Sequence, residues 1–549
     1  MGRQPMRRGV GRPLIPIATQ RGPVEIVNTF SLCRGLFDLM VTAAGCGLTP
    51  SRAGRRCARV GGAGFQGQGM NLIVRGLKFL VTGFLALLFV AVGALLYLRI
   101  PQNAAGMAAK GVCSAAFVAH RPVAELMAQD VLPASPVLRA IFVQVDENQR
   151  SVTARFAGVI ARRAVLLPQR GCVLDIEPDT APAAAAAAPV VDATLPWPAG
   201  EAALAPKDWG AGVDAKRLQQ IADNAFVGAG DPQAANARGL AVVHKGRMLV
   251  LRTAPGFDAA TALHGWSMTK TVTGMLAYKL SKESELDWSA PVVDAFPKER
   301  EPAWVQAWRQ DARKDIRVAD LVYMRDGLAS TEDYDPWGSV PQMLWGAGDV
   351  AAWAADHGPE AAPASRWRYL SATANLLAAV ERGRFASDAD YWAYPRKALF
   401  DPIGAKTAVM ETDSAGNWVG SSYLWASVGD WARLGQLMLQ DGQWGSGANR
   451  QQVLPPGWLK AASTPATKTG EGLGYGAQSW LFGNKGFGDC KAYPGVPPDT
   501  VAMSGHWGQM VAMVPSKDAV VVRLGWTFRK GQFDDCKLLE EVLSALPAR

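Results

Sequence analysis

The stretch His264-Gly-Trp-Ser-Met-Thr-Lys-Thr-Val-Thr-Gly-Met-Leu-Ala-Tyr-Lys-Leu280 places a serine and a lysine three positions apart at the start of a predicted helix. Residues i and i+3 share one face of a helix, so the amine of Lys270 can lie beside the hydroxyl of Ser267. A serine nucleophile that no histidine serves needs such an amine to take its proton. The helix start also directs N–H groups and partial positive charge at the serine, which favours an oxyanion.

The same stretch has a purely structural interpretation. Met268, Val272, Met275 and Leu276 recur at helical spacing and can face a core. A chain of this length contains about one Ser-x-x-Lys by chance. The functional interpretation therefore depends on what else the chain carries.

Two later segments supply further candidate residues. Tyr369-x-Ser371 precedes an apolar helical run, and His506-x-Gly508 lies near the start of a predicted strand. A turn follows that strand at 515–518, and a second apolar strand follows the turn. Glycines beside His506 remove side-chain bulk, so a substrate could lie against the backbone there.

In their order and spacing, these three elements resemble those of the penicillin-recognising serine hydrolases, in the class C β-lactamase-like branch. The resemblance covers residues 205–549, and segments 321–328, 428–435 and 474–476 are also similar to that family. It implies an α/β (α+β) fold with a central antiparallel sheet, helices on its faces and a mostly helical insert. The apolar hairpin at 239–251 and the late strand pair fit such a sheet.

The resemblance also implies roles for individual residues. Ser267 would attack, Lys270 would hold or take its proton, and Tyr369 would pass that proton to the leaving group. The oxyanion would lie between the Ser267 N–H and a main-chain N–H near 506–509. The substrate-binding and oxyanion residues implied in this way are Tyr334, Ser371, His506, Gly508 and Gln509.

Within the family, the chain is most similar to 6-aminohexanoate-dimer hydrolases. Those enzymes share a Tyr-x-Ser second element and a tyrosine in an acidic loop, here Tyr334 in Glu332-Asp-Tyr-Asp-Pro336. The likeness implies that Tyr334 contacts the substrate amide. Tyr-x-Ser in place of Tyr-x-Asn, and His-x-Gly in place of Lys-Thr-Gly, disfavour penicillin hydrolysis as the main activity.

Three functions therefore stay open. The first is a serine hydrolase that cleaves an amide or ester bond of a small molecule. The second is a cell-wall peptidase acting on D-amino-acid peptides, or a weak β-lactamase. The third is a non-catalytic, penicillin-binding-like protein that keeps the fold. The intact serine, lysine and tyrosine favour an enzyme.

Charge excludes a nucleic-acid partner. Of the net charge of +9, residues 1–69 contribute +8, because they hold ten arginines and two acids, Glu25 and Asp38. The rest of the chain is nearly neutral and offers no basic surface. We expect the Arg-rich leader, 1–69, to precede a start at Met70, with a transit peptide as the alternative.

A membrane anchor is predicted at 70–100. Residues 79–98 are twenty uncharged, mostly apolar positions, the length of a transmembrane helix. Arg75 and Lys78 precede this run, which favours a cytoplasmic N-terminus. We therefore expect a single pass through a bacterial inner membrane with the catalytic domain in the periplasm; a cleaved signal peptide is the alternative.

Cysteine usage fits an oxidising compartment. Beyond the leader there are four cysteines, Cys113, Cys172, Cys490 and Cys536. An even number outside the membrane indicates disulfides. Chain position favours Cys113–Cys172 and Cys490–Cys536, while other pairings and free thiols stay open.

The remaining organisation follows from composition. Residues 101–178 form a small extracytoplasmic region, and an Ala/Pro-rich linker at 179–204 leads to the hydrolase domain at 205–549. The five histidines have no metal-ligand spacing, and no phosphate-binding or dinucleotide motif occurs. We therefore expect no metal or cofactor.

Overall fold

The computed structural model describes residues 67–175, 191–283, 285–445, 447–483 and 490–547. The predicted leader up to residue 66 and the part of the predicted linker up to residue 190 lie outside the described residues. Contacts divide the chain into two units, Met1–Gly83 and Phe84–Arg549.

The described α-helices of five or more residues are α1 Gly67–Tyr97, α2 Ile100–Phe117, α3 Ala215–Ala225, α4 Thr269–Lys282, α5 Ala303–Trp308, α6 Val318–Val322, α7 Val350–Ala355, α8 Ser371–Arg382, α9 Asp388–Pro395, α10 Val428–Leu439, α11 Trp458–Ser463 and α12 Asp535–Ser544. The described strands are β1 Ile141–Asp146, β2 Ser151–Phe156, β3 Ile160–Leu167, β4 Gly171–Leu174, β5 Asp192–Pro196, β6 Gly200–Ala202, β7 Ala237–His244, β8 Arg247–Thr253, β9 Leu263–His264, β10 Val409–Met410, β11 Leu424–Ala426, β12 Gln443–Trp444, β13 Gln451–Gln452, β14 Trp480–Leu481, β15 Val501–Gly505, β16 Gln509–Val514 and β17 Ala519–Gly525.

A six-stranded antiparallel sheet in the order β14-β15-β16-β17-β7-β8 forms the centre of the fold. Strand side chains alternate between faces, so each face buries its own apolar set. One set packs in the core that includes α4 and α10: Ala241, Val243, Val511, Met513, Val520, Val522 and Leu524. The other packs with α3 and α12: Leu240, Val242, Met510, Ala512, Val514, Ala519 and Val521. The predicted central sheet with helices on its faces is confirmed.

The late strands differ in one respect from the sequence-based expectation. The predicted strand through 503–513 is two strands, β15 and β16, and His506-x-Gly508 forms the turn between them. Trp507 and Gly508 have φ of 61° and 81°, in the left-handed region that reverses the chain. The motif therefore lies at a sheet end rather than within a strand.

Between β8 and β14 the described chain is mostly helix and loop, as predicted. Helix α4 belongs to this part of the chain, and its Val272, Met275 and Leu276 are fully buried. Helix α8 packs beside it. This packing holds the start of α4 in place, so the structural and functional interpretations of residues 264–280 apply together.

The four-stranded antiparallel sheet β1–β4 packs on helix α2. Alanine and glycine dominate α2, which allows close approach to the strands. The structure forms the two disulfides that chain position favoured. Cys113–Cys172 joins α2 to β4, with a Cα–Cα distance of 5.9 Å. In Cys490–Cys536 the Cα–Cα distance is 5.3 Å.

Helix α1 contains an apolar span, Arg75–Tyr97, with a mean hydropathy of 2.6. Its described side chains are exposed. By length and composition this helix can cross a bilayer. It is the one helix among the described residues that meets this criterion.

Candidate active site

Ser267 lies in a tight turn, Trp266–Met268, immediately before α4. Trp266 has φ of 48°, a left-handed conformation that is strained for a bulky residue and occurs mostly where the surroundings impose it. Strand β9, just before the turn, pairs with β11, and the Gly265 N–H donates to the Leu424 carbonyl. The chain is therefore fixed on both sides of the serine.

Lys270 reaches back along the helix to the serine, as the spacing predicted. Its Nζ lies 2.9 Å from Ser267 Oγ, 2.9 Å from Ser371 Oγ and 3.1 Å from the Ser421 carbonyl oxygen. The side chain is buried, and burial lowers the pKa of Lys270 to about 8, with Glu332 acting in the opposite direction. With this pKa, about a tenth of Lys270 is neutral at pH 7.

A carboxylate organises the far side of the lysine. Glu332 accepts hydrogen bonds from the Ser371 N–H at 2.6 Å and from the Ser371 hydroxyl at 2.7 Å. Because that hydroxyl donates to Glu332, its oxygen is free to accept from Lys270. A chain of hydrogen bonds thus runs from Lys270 through Ser371 to Glu332.

Two tyrosines flank the serine. Burial raises the pKa of Tyr334 and of Tyr369, Glu332 adds to both, and a hydrogen bond with Ser267 opposes the rise in each case. Both phenols are therefore protonated near neutral pH and can donate. Lys270 Nζ also lies 4.7 Å from the centre of the Tyr369 ring.

His506 stacks on Tyr334, with 4.2 Å between the ring centres and 8° between the planes. Burial lowers the pKa of His506 to about 3, so its imidazole is neutral. His264 is a different case. Its Nε2 lies 2.7 Å from the Ser422 carbonyl oxygen and its ring stacks on Trp425, so its contacts are structural.

The end of β15 lies against the backbone before Ser267. A Cβ on Gly505 would come 2.3 Å from the Gly265 carbonyl oxygen, so only glycine fits this approach. The next peptide, at His506, is thereby brought close to the serine. Among the described residues, no main-chain acceptor is recorded for the His506 N–H.

Gln509 and Gly508 hold the turn. The Gln509 side-chain amide donates to the His506 and Gly525 carbonyls, and its oxygen accepts from the Gly525 N–H. The buried guanidinium of Arg523 donates to the Gly508 carbonyl at 2.6 Å. A Cβ on Gly508 would lie 2.5 Å from that guanidinium.

These residues line a cleft of about 530 Å³. Its lining includes Ser267, Glu332, Tyr334 and Tyr369, together with the turn after β15. Ser267 lies in this cleft and is 8% exposed. The arrangement offers a nucleophile, an amine of lowered pKa, two phenol donors and main-chain N–H groups in one place, which is sufficient for acyl transfer.

The structure brings together most of the residues that the sequence singled out. Ser267, Tyr334, Tyr369, His506, Gly508 and Gln509 line the cleft, and Lys270 contacts both Ser267 and Ser371. Sequence reasoning assigned no role to Glu332, although the acidic loop contains it. It also missed Arg523 and the Ser421 carbonyl, for which the sequence gives no signal.

A sequence model of the Beta-lactamase family matches residues 220–537, more than half of the chain. The chain belongs to the beta-lactamase family. It is therefore a serine hydrolase with the β-lactamase-like fold that its central sheet and helical insert display. Residues 1–219 lie outside the matched segment.

Solved structures of this fold include a proposed 6-aminohexanoate-dimer hydrolase from Bacillus anthracis, at 17% identity and a TM-score of 0.49, covering 65% of this chain and 89% of that one. The octameric penicillin-binding protein homologue from Pyrococcus abyssi has 16% identity and a TM-score of 0.43, and the match covers 60% of this chain and 77% of that one. The D-alanine carboxypeptidase AmpC from Burkholderia cenocepacia has 14% identity and a TM-score of 0.42, covering 60% and 100%. A comparison with curated protein sequences gives no match.

In this member of the beta-lactamase family, one group of described residues has the donor types of a metal site: Asp534, Asp535 and Cys536. Cys536 is bonded to Cys490 and offers no thiolate. Asp534 caps α12 by accepting from the Lys537 N–H at 2.9 Å. The group is therefore explained by the helix start and the disulfide.

Proposed function

We propose that the protein is a membrane-anchored serine hydrolase that cleaves an amide or ester bond through an acyl-enzyme on Ser267, as 6-aminohexanoate-dimer hydrolases do. The observation that carries the proposal is the 2.9 Å contact between Lys270 Nζ and Ser267 Oγ in a buried site. The lowered pKa of Lys270, about 8, adds to it. This pair meets the requirement of an activated nucleophile.

Acylation follows from the contacts of the lysine. When Lys270 is neutral, its two hydrogens bond the Ser371 hydroxyl and the Ser421 carbonyl, and its lone pair faces the Ser267 proton. Ser267 Oγ attacks the carbonyl carbon as Lys270 takes that proton. The bond to the leaving nitrogen or oxygen then breaks as the Tyr369 phenol supplies a proton, and Lys270 returns one to Tyr369. Water repeats the sequence in reverse to release the acid.

The negative charge that develops on the carbonyl oxygen needs N–H donors. The Ser267 N–H at the helix start and the His506 N–H beside Gly505 are the two that fit. Neutral His506 stacks on Tyr334 and fixes that phenol near the scissile bond. Tyr334 can then bond the nitrogen of an amide substrate.

The location follows from α1 and the disulfides. The span Arg75–Tyr97 is long and apolar enough to cross the inner membrane once. Cys113–Cys172 and Cys490–Cys536 both lie after that span, and such bonds persist in oxidising compartments. We place the small region 101–178 and the hydrolase domain in the periplasm.

Covalent labelling tests this function. Wild-type protein should react with a fluorophosphonate probe, peptide mapping should place the adduct on Ser267, and Ser267→Ala should abolish both labelling and turnover while it remains folded. A panel of p-nitrophenyl esters, short amide oligomers, nitrocefin and D-Ala-D-Ala peptides identifies the substrate class. Unchanged turnover in Ser267→Ala would refute the proposal.

A further inference from the structure

A second cavity of about 130 Å³ adjoins the catalytic cleft. The two share three lining residues, Tyr334, His506 and Trp507. The second cavity is also lined by Trp266, the residue before the serine. It therefore belongs to the surroundings of the reacting carbonyl.

Much of the cavity wall comes from outside the segment that matches the beta-lactamase family. Ala104 and Met107 of α2 line it, and so do Val137 and Leu138 from the turn before β1. These side chains are apolar, and Trp345 and Pro341 of the helical insert complete the wall. The region after the anchor thus builds a wall beside the active site.

We propose that this cavity binds the acyl arm of the substrate, a short apolar chain of roughly four to six heavy atoms. The inference rests on the proposed acyl-enzyme. The acyl side is assigned because Trp266, which lines the cavity, directly precedes Ser267, the residue that keeps the acyl group. The helix after the membrane span therefore sets substrate specificity.

A series of p-nitrophenyl esters tests the length of the arm. kcat/KM should rise by about two orders of magnitude from acetate to hexanoate as four methylenes enter the cavity, and should fall for decanoate, which exceeds it. In Ala104→Phe and Val137→Trp, which fill the cavity from two different elements, the hexanoate-to-acetate ratio should drop to about one. Leu132→Trp, at a surface position outside the lining, should keep the wild-type ratio. Val137 is only partly buried, so its variant serves if Ala104→Phe does not fold.

The outcomes separate this inference from the proposed function. Absence of both fluorophosphonate labelling and acetate turnover in wild type means that the proposed function fails. Labelling with a flat chain-length profile, or a profile that the filling variants leave unchanged, overturns the acyl subsite alone. A length dependence found only in the alcohol arm of alkyl acetates overturns its assignment to the acyl side.

Discussion

Burial lowers the pKa of Lys270, and we expect this pKa to set how the catalytic rate depends on pH. In the proposed mechanism the neutral amine is the base, so kcat/KM for an ester should increase as pH rises through about 8, the pKa that burial gives this lysine, and then level off. His506, with a pKa of about 3, should add no ionisation near pH 6. A pH–rate profile measures both. Lys270→Arg keeps the charge but cannot supply a base and should lose about 10²- to 10⁴-fold in rate. A flat profile between pH 7 and 9 would contradict this assignment.

Glu332 acts through its neighbours rather than on the substrate. Its charge raises the pKa of Lys270, and its oxygens orient Ser371. Glu332→Gln removes the charge, so the rise in activity should move to lower pH while the maximal rate falls. Asp333→Asn makes the same charge change in the same loop and should leave the profile in place. An unmoved profile in Glu332→Gln would reduce Glu332 to a purely structural role.

We expect Tyr334 to be needed more for amide cleavage than for ester cleavage. Tyr334→Phe keeps a ring to stack on His506 but removes the hydroxyl beside Ser267. Amide cleavage should fall much more than cleavage of an activated ester, because a departing amide nitrogen needs a hydrogen-bond partner and a proton. Parallel kinetics on both substrates measure the difference. Tyr391→Phe, which changes a buried phenol bonded to the Ala378 carbonyl, should keep the amide-to-ester ratio. Equal losses in Tyr334→Phe would contradict the role.

At the scale of elements, α2 is fixed by a buried ion pair. Lys110 Nζ lies 2.8 Å from Glu411, and both side chains are almost fully buried. Glu411 also accepts from Ser114 and from the Cys172 N–H. The pair therefore ties α2 and β4 to the strand that leads into β11.

Breaking this ion pair should be costly. Lys110→Met leaves the Glu411 charge buried and uncompensated, and should lower the free energy of unfolding by about 3–5 kcal/mol. Adding Glu411→Gln should recover part of the loss, because a neutral amide oxygen still accepts from Ser114. Urea denaturation measures both. Lys537→Met breaks an exposed pair and should cost less than about 1 kcal/mol. If Lys110→Met lowered the free energy of unfolding by a similarly small amount, the ion pair would not be holding α2 in place.

These elements also show which features of the fold and of the site can be predicted from the sequence. Alternating apolar residues with a Lys-Gly turn predict β7 and β8, and the i, i+3 spacing predicts the contact of Lys270 with Ser267, because both signals are local. The turn at 506–508 was not predicted, because a left-handed Trp507 is held there by Gln509 and Arg523 across the sheet end. Glu332 lies 39 positions from Ser371, and no local pattern encodes that contact.

For the whole molecule, the described contacts predict where the chain can be shortened. A protein that begins at Arg99 lacks α1 but keeps α2, and should be soluble and active. One that begins at Val191 keeps the segment matched to the family but loses α2, the partner of Glu411 and a wall of the second cavity. It should aggregate or lose activity. Full-length protein should fractionate with membranes. An active protein beginning at Val191 would show that α2 is dispensable.

The pairing of β7 with β17 also determines when during synthesis the protein can become reactive. Val242 lies opposite Val521, so the centre of the sheet joins an early strand to one of the last to be made. Long-range pairing of this kind delays folding, because a long loop must close first. Strand β15, which supplies the peptide beside Ser267, docks through the same late hairpins. A nascent chain therefore carries its serine without the second oxyanion donor that we propose, the His506 N–H, and we expect it to stay inert until nearly the entire chain has been made.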